Sequence, residues 1–272
     1  MKERYVIVGA VIVAVFLAGC TGGPGPGMPT PPPPSLTPIV PVTTFPTLPV
    51  TPPENISVNW AGYVVETTFE YPDKNAIEAV EAVWNVPAVN CSSAERKEYS
   101  SAFWVGIDGF SSGSVEQIGT DSDCIRGSAV YYAWYELYPR DSVTLDLVIT
   151  SGDEIHAKVM YLGDRQFMFS LTDITSNQSV YLNETTTTTV ERNSAEWIAE
   201  APVYRHQILP LSEFGPVEFM NVSVTVNGTT GPIISDQWEY RSIVMEAPDG
   251  TLKAFPTGVV NENRFTIIWE HR

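Results

Sequence analysis

Ser142-Val143-Thr144-Leu145-Asp146-Leu147-Val148-Ile149-Thr150 places Val143, Leu145, Leu147 and Ile149 on one side of an extended chain. A period of two belongs to a strand, because successive side chains point to opposite faces. Ser151-Gly152-Asp153 then turns the chain into Glu154 to Leu162, and Gly163-Asp164 turns it again into Arg165 to Thr172. Further segments of the same kind run from Pro216 to Val226, Gln237 to Glu246 and, after a Pro248-Asp249-Gly250 turn, Arg264 to Glu270. Short, evenly punctuated segments rich in β-branched and aromatic residues predict an all-β fold, an antiparallel two-sheet β-sandwich. Asn75 to Val83 alone has helical spacing, through Ala76, Ala79, Val80 and Val83. Lying between strand-like segments, it reads as a short helical turn or an irregular edge. Residues 55–272 suit one undivided domain, since all-β domains commonly reach this size.

The first twenty residues are of a different kind. Lys2 and Arg4 precede an apolar run from Tyr5 to Gly19, which ends Leu17-Ala18-Gly19-Cys20. A charged start, a short apolar stretch and small residues before a cut are the anatomy of a secretory signal. As a helix the run rises only about 22 Å, short of the roughly 30 Å hydrocarbon core. Leu-Ala-Gly-Cys also resembles a lipobox, with Cys20 acylated as the mature N-terminus; the alternative is an uncleaved N-terminal membrane anchor. Either way the rest of the chain is exported and attached to a membrane. Residues 21–54 hold thirteen of the 22 prolines. Such a segment tends to extended polyproline II and reads as a semi-rigid tether, about 100 Å at full stretch.

Three cysteines are an odd count for an exported protein. Giving Cys20 to lipid leaves Cys91 and Cys124, which an oxidising compartment permits to pair. Six sequons, at Asn55, Asn90, Asn177, Asn183, Asn221 and Asn227, fit an outward location. The formal charge of −17 argues against nucleic acid, whose phosphates the chain repels. It also fits acidic surroundings, where carboxylates titrate and self-repulsion falls.

Few hydrolytic chemistries remain open. His156, His206 and His271 are the only histidines and lack metal-ligand spacing, so neither a metal nor a cofactor is expected. A serine triad needs a histidine, and a lone strand histidine such as His156 is more often structural. Paired cysteines leave no thiol nucleophile, and no pair of Asp-Thr/Ser-Gly loops exists for an aspartic mechanism. Amides and carboxylates are left. A glutamate ionises near pH 4.3 and serves as a base in acid, where histidine is already protonated. A glutamine amide stays a neutral donor at any pH, as an oxyanion site requires.

Four motifs carry residues of those types. They are Asn59-Trp60-Ala61-Gly62; Trp104-Val105-Gly106-Ile107-Asp108-Gly109 followed by Glu116-Gln117-Ile118-Gly119; Trp134-Tyr135-Glu136-Leu137-Tyr138-Pro139; and Ala195-Glu196-Trp197-Ile198-Ala199-Glu200. In this order they resemble the signature of the glutamic peptidases, or eqolisins, acid endopeptidases with a Glu/Gln dyad and a lectin-like, jelly-roll type of sandwich. The resemblance assigns the dyad to Gln117 and Glu196. It prefers Glu196 over Glu200 because the family's glutamate immediately precedes Trp. It places Trp104, Asp108 and Glu136 along the substrate cleft, with Asp121 and Trp134 beside them. Without the resemblance, the tryptophans read as core and Asp108 and Asp121 as turn caps; Asp121-Ser122-Asp123 is a poor calcium-loop match and likewise reads as a turn. Ile118 and Leu137 depart from the family's usual Thr and Trp, which bears on substrate preference.

The leading expectation is a surface-tethered, monomeric endopeptidase acting on polypeptide. A glycoside hydrolase with paired carboxylates, such as Glu136 with Glu196 or Glu200, is the second reading, but it has no need of Gln117. A non-catalytic carbohydrate- or partner-binding lipoprotein is the third, since fold alone does not exclude it.

Overall fold

The alternating segments become strands of a two-layered sandwich. The computed structural model describes residues 54–92 and 97–272, all within one compact unit. The signal-like segment with Cys20 and the proline-rich tether, up to residue 53, lie outside the described residues.

The front layer runs β16 (Glu239–Glu246), β2 (Trp60–Glu66), β11 (Ser194–Glu200), β4 (Ala102–Ile107), β5 (Val115–Ile125), β6 (Ser128–Tyr138) and β7 (Val143–Thr144). The back layer runs β10 (Gln178–Thr185), β9 (Gln166–Asp173), β8 (Glu154–Gly163), β3 (Ile77–Asn85), β14 (Val217–Val226) and β18 (Phe265–Trp269). β17 (Leu252–Pro256) pairs with both β16 and β18, so the two layers are one hydrogen-bonded ribbon folded over on itself. β1 (Glu54–Ser57) adds in parallel to β16, and β15 (Thr229–Gly231) hairpins onto β14. β12 (Val203–Tyr204) and β13 (Gln207–Ile208) form a small separate ribbon. No helix occurs among the described residues.

Large side chains fill the space between the layers: Trp84, Phe103, Phe167, Phe169, Trp197, Phe219 and Phe265 are all fully buried. Two indoles also bolt the layers together. Trp84 Nε1 on β3 donates to Thr120 Oγ1 on β5 at 3.1 Å, and Trp197 Nε1 on β11 donates to the Glu81 carbonyl on β3 at 3.0 Å. Buried indole N–H groups need such acceptors. The second bond has a consequence for the site. With Trp197 fixed inward, its neighbours Glu196 and Ile198 must face outward from the front layer.

That outer face is not a plain solvated surface. Val64, Ala102, Trp104, Val115, Trp134, Ile198 and Ile243 form a second apolar cluster there, flanked by Trp60, Phe69, Phe110 and Tyr132. β5 is consequently buried on both faces for all but its last residue.

Two segments differ from their reading in the sequence. Asn75 to Val83 is neither helical nor an edge: Ile77 to Asn85 is the central strand β3, between β8 and β14. Its register against β14 skips Glu78, a bulge that turns a two-residue step into the three-residue step from Ile77 to Val80. That step imitates a helix. In Ser142 to Thr150 the alternation holds from Leu145 on, with Leu145, Leu147 and Ile149 buried and Val148 77% exposed, whereas Val143, read on the buried side, is exposed. Only Val143–Thr144 has a ladder partner, however, so apolar burial rather than strand pairing holds the rest.

Candidate active site

One row of side chains crosses the front layer. Reading the paired positions from β16 to β6, Arg241 stands opposite Val64, Val64 opposite Glu196, Glu196 opposite Gly106, Gly106 opposite Gln117, and Gln117 opposite Glu136. Directly paired residues share a face, so all six point to the outer side. Glu196 and Gln117 are two strands apart, about 10 Å between Cα atoms at the usual strand spacing. Only Gly106 stands between them. A Cβ there would meet Trp104 Cζ3 at 2.9 Å and Gln117 Cβ at 3.1 Å, so the position is too tight for any side chain, with the edge of the Trp104 ring already against it.

Glu196 is fully buried, and burial pushes its carboxyl well above the ordinary range. The Ser194 hydroxyl and the Phe110 N–H lie on its side and favour ionisation. Neither is aligned well enough to make a good hydrogen bond, and desolvation outweighs them. Gln117 is 5% exposed and donates from Nε2 to Glu136 Oε2, while its Oε1 has no partner among the described residues. Burial raises the Glu136 carboxyl, the Gln117 bond lowers it, and Asp141 raises it further.

The supporting residues fall into two groups. Trp104 is fully buried on the outer side of the front layer, edge-on to Trp60 at 5.0 Å between ring centroids, and donates to Glu200 Oε2 at 2.9 Å. Glu200 also accepts from Asn59 Nδ2 at 3.0 Å; burial pushes its carboxyl up to about 7. Trp134 Nε1 and Tyr132 Oη donate to the two oxygens of Asp121, at 2.6 and 2.7 Å. Asp121, Ser122 and Asp123 lie inside β5 rather than in a turn, and burial raises both aspartates. These groups line the same face as Glu196 and Gln117.

Asp108 plays another part. It ends β4 with a left-handed φ of 69°, is fully buried, and accepts the backbone N–H groups of Glu191, Arg192 and Asn193 at 2.8 to 3.0 Å. It therefore clamps the segment that leads into β11 and sets where Glu196 begins its strand, as a turn-holding aspartate does.

Cys91 and Cys124 are bonded, with Cα atoms 5.5 Å apart. The bond ties the connection after β3 to the far end of β5, the strand that carries Gln117. A groove of about 380 Å³ lies elsewhere, on the outer face of the back layer beside Lys158, Tyr161 and Arg192, and contains none of the cleft residues.

The family model for "Peptidase A4 family" matches residues 58–246, which contain the whole row. The chain belongs to the peptidase A4 family. It is thus a glutamic-type peptidase of the eqolisin group, and its substrate is polypeptide. Among curated relatives, aspergillopepsin-2 of Aspergillus niger is 29% identical over 202 residues, covering 66% of this chain and 68% of that protein. The crystal structure of aspergilloglutamic peptidase from Aspergillus niger aligns with a TM-score of 0.56 at 26% identity, over 63% of this chain and 99% of that one. Scytalido-glutamic peptidase, solved with a transition state analog inhibitor, aligns at a TM-score of 0.65 and 23% identity, over 79% of this chain and 99% of that one. At that identity the last likeness speaks for the fold.

Several residues around this row of the peptidase A4 chain carried no signal of their own in the sequence. Glu66, 1% exposed, accepts from Ser111 Oγ, and Arg241 lies over the Phe69 ring at 4.0 Å. Asp123 accepts from Ser100 Oγ at 2.6 Å. Each becomes visible only when distant strands are placed side by side.

Proposed function

We propose that the chain is an exported, membrane-tethered endopeptidase that hydrolyses peptide bonds in acid, with Glu196 and Gln117 as its catalytic dyad. The observation that carries this reading is the row Glu196–Gly106–Gln117, which puts a carboxyl and an amide on one face with no side chain from the residue between them. Ionised Glu196 takes a proton from water as its oxygen attacks the scissile carbonyl carbon. A Gln117 N–H stabilises the oxygen that becomes negative. The carbon–nitrogen bond then breaks, and protonated Glu196 hands its proton to the leaving amine. Because burial raises Glu196, its ionised form is the minor one in acid but a stronger base, and the neutral form holds a proton ready to give. Glu200, whose oxygens accept from Asn59 and Trp104, positions the cleft floor instead.

Export and anchoring rest on the Lys2–Cys20 segment and the proline-rich tether. Replacing Cys20 by Ala should release the protein from the membrane fraction if the anchor is lipid. The catalytic reading is tested by digesting a denatured protein between pH 2 and 6 and mapping the products by mass spectrometry. Glu196→Gln should abolish turnover, Gln117→Ala should lower it by about 10²- to 10³-fold, and Glu200→Gln should be much milder. Full activity in Glu196→Gln, or a folded wild type inert on every substrate, would reject the assignment.

A further inference from the structure

We infer that Glu136 is a positioning residue whose proton sets the orientation of the Gln117 amide: neutral Glu136 turns the amide nitrogen toward Glu196, and ionised Glu136 turns it away. The inference rests on the dyad reading above and assigns the acid requirement of the reaction to one hydrogen bond.

Gln117 and Glu136 are directly paired across β5 and β6, and their side chains are hydrogen-bonded. What each can offer the other is fixed by chemistry. An ionised carboxylate only accepts, so it must be met by the amide Nε2. A neutral carboxyl has one O–H, which it can donate to the amide Oε1. The two ends of an amide diverge by about 120°, so the end held by Glu136 on the β6 side leaves the other for the β4 side. On that side Gly106 has no side chain of its own before Glu196, and the edge of the Trp104 ring lies against it. With Nε2 held by Glu136, one of its two N–H groups is spent and the other end of the amide, left for the dyad side, is Oε1, an acceptor and the wrong polarity for a developing oxyanion. With Oε1 held by a Glu136 O–H, both N–H groups of Nε2 are free. The change takes up one proton from solvent and breaks no other bond.

The surroundings of Glu136 favour its neutral form. It is half-buried, Asp141 follows it after β6, and Glu200 faces it from β11, each acid disfavouring a second negative charge. The nearby cation, Arg140, is turned to the Thr185 carbonyl at 3.0 Å. The other acids of the cleft are engaged with other donors: Glu200 with Asn59 and Trp104, Asp121 with Tyr132 and Trp134, and Asp123 with Ser100 and Tyr132. Glu136 alone among them is bonded to Gln117. The reactive form has Glu196 ionised and Glu136 neutral; since burial raises Glu196 further than Glu136, this is the less populated arrangement of the one proton the pair shares, and the two limbs of the pH profile belong to the pair.

The test compares kcat/KM against pH for the full-length wild type and Glu136→Gln, on one peptide taken from the denatured-protein digest. A glutamine at 136 cannot ionise, so the falling limb of the bell should disappear while the rising limb stays. One unit above the wild-type upper limb the variant should keep its plateau where the wild type has dropped about tenfold. A falling limb at the same pH in both proteins would overturn the inference. A second readout does not depend on turnover: the Gln117 side-chain amide, labelled with ¹⁵N and identified by its loss in Gln117→Ala, should shift with pH in the wild type and not in Glu136→Gln. An amide that does not respond to pH in the wild type overturns the inference even if the variant misfolds. Failure of the dyad reading shows instead as full activity in Glu196→Gln, with the amide titration still readable.

Discussion

At the scale of the residue, Glu116 and Gln117 are neighbours with opposite fates. Gln117 faces the outer side, while Glu116 points between the layers, is fully buried, and has no hydrogen-bond partner for either oxygen among the described residues. Desolvation, helped by Asp108, pushes its carboxyl up to about 9. At pH 7 the folded chain thus holds a proton that the unfolded chain has released, at a cost on the order of 3 kcal/mol. Glu116→Met, which keeps the volume without the acid, should raise the melting temperature, and the gain should grow between pH 4.5 and 9. A gain that is absent, or constant with pH, would show that Glu116 has a buried partner. Nothing in Val115-Glu116-Gln117-Ile118 tells which of the two polar residues faces inward. Alternation gives opposite sides, not which side is the core. The side proposed to be functional was singled out only by the motif's resemblance, through Gln117.

At the scale of the element, local pattern and long-range pairing part company. The strands from Glu154 to Thr172 and near the C-terminus were legible because alternation and turn residues are local signals. The bulge in β3 was not, because it exists only opposite β14, about 140 residues later. Nor was the insertion of β11 between β2 and β4, which brings Glu196 beside Gly106. The disulfide is a case between the two: the cysteine count suggested it, and pairing of Tyr99 with Cys124 brings the ends together. It spans 33 residues, so replacing both cysteines by Ser should cost roughly 2 to 5 kcal/mol, read as a lower melting temperature. β5 remains paired along its length with β4 and β6, so Gln117 should stay in register. Peptidase activity well below the melting temperature should therefore fall by no more than a few-fold. A collapse of activity in a variant that is still folded would mean that the bond, rather than the ladder, positions β5.

At the scale of the whole molecule, the carboxyls act together. Burial raises Glu66, Asp108, Glu116, Asp121, Asp123, Glu136, Glu196 and Glu200 above their ordinary values. For each, the folded state keeps its proton to a higher pH than the unfolded state does. Stability therefore falls as pH rises from the unfolded values, 3.8 to 4.5, toward the folded ones, about 7 for Glu200 and about 9 for Glu116. Glu81 has the opposite sign. His156, with Lys158 and Ser223, holds it down at about 2, so its contribution is complete above 4.5 and is lost as pH falls toward 2. The formal charge of −17 adds self-repulsion at neutral pH in the same direction as the raised acids. The melting temperature should therefore peak near pH 4, decline steadily to pH 8, and drop again below about pH 3 as Glu81 takes up its proton. Many proteins are most stable between about pH 5 and 8, so the displacement is measurable by calorimetry across that range. A melting temperature at pH 7 equal to or above that at pH 4.5 would mean that the buried acids are charged and paired in the folded protein. In that case the same carboxyls would not keep Glu136 neutral, and the proton switch on Gln117 would lose its physical basis.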